Sequence, residues 1–162
     1  MGRGETAMIR AVCVLATTAL AGGLGATPLP DTDPLLPGTR WAGTLTQKGT
    51  FGGGVMGPPA FRTVLTVTAR DGDRFEADLA EAAEDIRVTY RVAGTVAPAA
   101  GGKGYAVRFR STAATGAVNT TPVLGVPYTG VLAGKSVHGT WRVPPGGGGT
   151  NVEGEFELEL AK

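Results

Sequence analysis

Tyr128 to Val143 reads YTGVLAGKSVHGTWRV. Tyr128, Gly130 and Leu132 alternate with polar or small residues, Ala133-Gly134-Lys135 turns the chain, and Val137, Gly139, Trp141 and Val143 alternate again. Period-two alternation on either side of a short glycine turn predicts a β-hairpin. A glycine in the middle of each arm, Gly130 and Gly139, suits a strand that bends tightly or lets another backbone pass close. The cadence returns at Trp41-Ala42-Gly43-Thr44-Leu45, so one kind of curved strand is used more than once.

Downstream of the hairpin, Phe156, Leu158 and Leu160 alternate with Glu155, Glu157 and Glu159, the cleanest two-residue period in the chain, and predict a last strand over Gly154 to Leu160. Upstream, strands are expected over Thr39 to Lys48, Ala60 to Arg70, Ile86 to Val96 and Gly104 to Ser111. Arg74 to Ala83 is double-valued. Phe75, Ala77 and Leu79 alternate as in a strand, whereas Phe75, Leu79, Ala82 and Ile86 also fit helical spacing. The Asp71-Gly72 turn just before it calls for a pairing partner, which favours the strand. Gly49 to Pro59 (GTFGGGVMGPP), residues 97–103, Thr112 to Val126 and Gly146 to Gly149 read as loops.

Eight strands with one apolar face each, joined by hairpin-type connections, bury that face without long open edges as an antiparallel up-and-down meander barrel. If the last strand pairs with both the seventh and the first, its outward glutamates lie between His138 and Arg142 on one side and Arg40 on the other. In such a meander the longer loops (49–59, 80–85, 112–126, 144–153) gather at one mouth, and the shorter ones close a floor to which Trp41 belongs.

The chain divides into three parts: a signal peptide over 1–26, a proline-rich extended tether over 27–38, and the barrel domain over 39–162. Arg10 precedes an apolar small-residue run, Ala11 to Leu24, too short to span a bilayer comfortably and followed by Gly22, Gly23, Gly25 and Ala26 at the expected cleavage region. A retained membrane anchor is the rival reading. Cys13 is the single cysteine and lies in that run, so the exported, periplasmic or extracellular domain would hold no disulfide. Removing Arg3, Arg10 and Glu5 brings the net charge of +1 to zero, which points to neither a nucleic acid nor an anionic membrane as partner.

Gly38 and Trp41, a Gly-x-x-Trp opening the first of eight meander strands, resemble the calycin barrels: lipocalins, fatty-acid-binding proteins and avidins. The resemblance covers the pattern of 38–160. It departs from the usual lipocalin Gly-x-Trp by one residue, and avidin's polar biotin contacts do not map onto this chain. It implies a barrel whose floor holds Trp41.

An eight-stranded barrel is either filled by side chains or holds one small ligand. Trp141, Tyr128, Tyr90, Phe109, Phe61 and Phe156 fall on inward positions, most of them toward the mouth, and suit a small apolar or aromatic ligand with one polar handle. The alternative is that the same residues simply fill the core, since large side chains occupy nearly every inward position. Gly49 to Pro59 could cover the mouth or be only a flexible connection. His138, the single histidine, faces outward, and no metal-spaced or triad-spaced set accompanies it. Arg87, Arg91, Arg108 and Arg110 form a stripe that Glu76 and Asp78 partly neutralise. Asn119-Thr120-Thr121 is a glycosylation sequon of use only in a eukaryotic secretory pathway. The expectation is a non-catalytic small-ligand binding protein without cofactor or metal. The alternative is a structural or protein-interaction domain with a filled barrel acting at the cell envelope. Outward Val64, Thr66 and Thr68 leave an oligomer open.

Overall fold

The computed structural model describes residues 34–50, 57–145 and 150–162; the expected signal peptide, 1–26, lies outside them. The described chain is all-β: β1 (Arg40–Thr46), β2 (Lys48–Thr50), β3 (Ala60–Asp71), β4 (Arg74–Ala83), β5 (Ile86–Pro98), β6 (Tyr105–Val118), β7 (Pro127–Ala133), β8 (Ser136–Arg142) and β9 (Asn151–Leu160). Each strand from β3 onward pairs antiparallel with its sequence neighbour, and β1 pairs with both β3 and β9, which closes the barrel. β1 and β2 form one wall. Both lie on β9, with Leu45 opposite Phe156 and Lys48 opposite Glu153, so the register runs on through the break at Gln47. The result is a closed eight-stranded antiparallel barrel, compatible with a calycin-like fold.

Arg74 to Ala83 is a strand, paired along its length with β3 and β5. Its hairpin with β3 turns at Gly72, whose φ of 56° is the left-handed conformation that the turn requires. The expected loop over Thr112 to Val126 is corrected in its first half, because β6 continues to Val118 against β5. The two-residue period fails there for a local reason. Thr112 and Thr115 are bulged out of register, and their hydroxyls donate to the carbonyls of Arg91 (3.0 Å) and Thr89 (3.3 Å) on the facing strand. Similarly, β9 begins at Asn151 rather than Gly154.

Leu65, Leu79, Val92, Val107, Val137 and Leu158 are buried on the inner faces of six strands. Trp41 is wholly buried at the floor, and its indole N–H donates to the Pro34 carbonyl at 3.1 Å. Leu35 is buried too, and Gly38 N–H donates to the Val67 carbonyl at 2.8 Å, so Pro34 to Gly38 fold against the floor instead of extending from it.

The glycines of the central hairpin are direct partners across β7 and β8. The ring tip of Phe156 lies over both: a Cβ would stand 2.9 Å from it at Gly130 and 2.7 Å at Gly139. At Gly139 the same Cβ would also run into the Thr129 carbonyl oxygen and stand 2.5 Å from Gly130 Cα. Backbone can retreat only by opening the ladder, so Gly139→Ala is expected to destabilise the fold by about 1–3 kcal/mol. Urea unfolding measures this, and a loss below about 0.5 kcal/mol would mean that the ring and the two backbones are not held this close.

Candidate functional site

One inward row runs from β4 to β9 as successive cross-strand partners: Phe75, Gly94, Phe109, Tyr128, Trp141 and Gly154. Rings and glycines share the row because the rings need the space. A Cβ on Gly94 would meet Phe109 Cβ at 2.6 Å and Phe75 Cε1 at 2.7 Å; one on Gly154 would meet the indole nitrogen of Trp141 at 2.7 Å. Gly154 thus lets the Trp141 indole pass over β9 and donate to the Thr46 carbonyl at 3.0 Å.

Phe109 stacks on Tyr128 with centroids 4.6 Å apart and planes 7° from parallel; Phe156 meets both edge-on at 5.8 and 6.0 Å. The middle of the barrel is therefore filled by rings. Above them, at the mouth, is a cavity of about 320 Å³ lined by Trp141, Tyr128, Tyr90 and Phe61, together with Glu81 and Gln47. Of the six residues that sequence reading assembled, four line this cavity, and Phe109 and Phe156 belong to the ring cluster. Wider grooves of about 660 and 820 Å³ lie on the outer wall, where alternate residues face solvent.

Residues 119–126 form one rim. Asn119 adopts a φ of 53°, and its amide donates to the Asp85 carboxylate at 2.9 Å, tying this loop to the β4–β5 turn. Val123 N–H donates to the Tyr90 hydroxyl at 3.4 Å, and Ser111 Oγ accepts from Val126 N–H at 3.1 Å. On the opposite rim, the Gln47 side chain donates to the Pro58 carbonyl at 2.8 Å, and its own N–H donates to that of Pro59 at 2.9 Å. Of the stretch considered as a cover, Gly49 to Pro59, residues 51–56 lie outside the described residues.

Glu81 is the residue that sequence reading missed, because 80–85 was assigned to the mouth loop. The signal was present. Phe75, Ala77 and Leu79 point inward on β4, and the same count carried two residues further places Glu81 inside. Its carboxylate accepts the Tyr128 hydroxyl proton at 3.3 Å. Burial among apolar walls pushes the Glu81 carboxyl up to about 7, and the Tyr128 bond offsets only part of that. The phenols of Tyr128 and Tyr90 are raised as well, first by burial and then by the negative charge of Glu81. Glu81 is only half-buried as a residue; it lines the cavity, and the solvent that reaches it does so there.

No group of histidine, cysteine and carboxylate side chains suited to a metal occurs among the described residues, and they contain no helix long and apolar enough to cross a membrane. His138 faces outward opposite Glu157, as its parity requires. Arg87, Arg91, Arg108 and Arg110 are exposed on the outer wall, with Asp78 directly across from Arg91. The expected ion pairing of β9 is narrower than anticipated: Arg142 and Lys48 reach Glu153 at 2.8 and 3.8 Å, while Glu155, Glu157 and Glu159 have no ion pair among the described residues. No family model, curated protein or solved structure matches this chain.

Proposed function

We propose that this protein is an exported, non-catalytic binding protein that takes a small apolar or aromatic ligand with one polar handle into the mouth of the barrel. The observation that carries this reading is the cavity of about 320 Å³, whose lining brings Trp141, Tyr128, Tyr90 and Phe61 around a single carboxylate. Its volume lies at the lower end of the roughly 300–1,000 Å³ range of small-molecule sites, and its chemistry follows their pattern of apolar walls with few polar groups. The calycin resemblance supports the same reading, as barrels of that shape keep their ligand space at one mouth. Catalysis is not part of it: one carboxylate and two phenols supply no nucleophile with its base.

A filled barrel that acts through its outer face is the second reading, favoured by the contact among Phe109, Tyr128 and Phe156 below the cavity. Titration with a panel of neutral, cationic and anionic small aromatics separates the two. Saturable quenching of tryptophan fluorescence is expected, and Trp141→Phe should remove most of it, because Trp41 lies at the floor. A flat response across all three charge types would support the filled barrel instead.

A further inference from the structure

Among the described residues, Glu81 carries the one carboxylate that lines the mouth cavity, and no cationic side chain lines it there. The groups facing it come from every wall. β3 offers Thr63 as its cross-strand partner, β5 offers Val88 as partner and Tyr90 nearby, and β7 contributes the Tyr128 hydroxyl. His138 is on the outside of β8. A carboxylate placed in an apolar site with one long hydrogen bond lacks the compensation that buried charges normally have.

The inference rests on the cavity reading above and gives the ligand its chemistry. We propose that the mouth cavity selects a monocationic amine with a small apolar or aromatic body, its ammonium held by Glu81 and the Tyr90 and Tyr128 hydroxyls. An ammonium supplies donors for these oxygens and the missing positive charge together. The rings of Tyr90, Tyr128 and Trp141 bound the same space, and aromatic π-systems attract a cation. An alcohol of the same shape would leave the carboxylate uncompensated. A carboxylic acid would place a second acid beside it, so one of the two would have to hold a proton.

Isothermal titration calorimetry with 2-phenylethylamine, 2-phenylethanol and phenylacetate tests this. At about pH 8 the amine is expected to bind at least about tenfold tighter than the alcohol, and phenylacetate more weakly than either. Because the free carboxyl titrates at about 7, the amine should lose roughly tenfold in affinity from about pH 8 to about pH 6, releasing a proton to solvent as it binds, while the alcohol stays level. Glu81→Gln should remove the amine preference and its pH dependence while retaining the alcohol. Equal affinity of wild type for amine and alcohol, or an amine preference that survives Glu81→Gln, overturns the amine assignment and leaves the cavity reading standing. Failure of all three probes to bind the wild type overturns that reading, and this proposal with it.

Discussion

Trp41→Ala is expected to cost about 3–5 kcal/mol, the range for truncating a large aromatic side chain in a packed core. Trp41 has no solvent exposure, sits between Leu65 of β3 and Leu160 of β9, and holds the Pro34 carbonyl through its indole nitrogen. Alanine there would remove the ring from the seam where the barrel closes and leave that carbonyl without its donor. The thermal midpoint should fall by on the order of 10 °C or more for a domain of this size. Trp141→Ala is the internal comparison. Trp141 already borders a cavity, so its removal enlarges an existing space and should cost less than Trp41→Ala. Denaturant unfolding of the two variants measures the difference. Equal losses would mean that the floor ring is no more tightly packed than the mouth ring.

Glu81→Gln is expected to stabilise the protein at neutral and alkaline pH. The carboxyl titrates at about 4.5 in an unfolded chain and at about 7 in the barrel, so between those values the folded state holds a proton that the unfolded state has lost. Stability therefore falls as pH rises through this window, and the deficit is complete above about 7. A shift of this size corresponds to at most about 3 kcal/mol, reduced to roughly 1–2 kcal/mol by the solvent that reaches the cavity. Glutamine keeps an oxygen for the Tyr128 hydroxyl and removes only the charge. The difference between variant and wild type should be near zero below about 4.5, grow with pH, and level off above about 7. Subtraction cancels the other carboxylates. A difference that is flat with pH, or of opposite sign, would place the Glu81 carboxylate in water and not in the cavity wall. A bound amine should close the gap by stabilising the wild type alone.

The strands and their inward faces were legible because period-two alternation is a local property: each residue's side is decided by its distance along the chain from a neighbour of known side. That is why the hairpin of Tyr128 to Val143, with a glycine in each arm, and the inward face of β9 follow from the string of letters. The reading stopped where the period was interrupted. Thr112 and Thr115 bulge out of β6 and hide its second half, and over Arg74 to Ala83 helical spacing competed with alternation, so the end of β4 was counted with the mouth loop 80–85.

By itself, then, the sequence determined an all-β chain, the order of its strands and which side chains face inward. Only the tertiary structure decided that the six inward aromatic positions divide into a ring cluster and a cavity wall. It alone put Glu81 beside Tyr128, 47 residues along the chain, and laid the indole of Trp141 over Gly154. These arrangements depend on strand stagger around a closed barrel and on which neighbour is a glycine. Both set distances across the sheet, for which alternation along the chain carries no information.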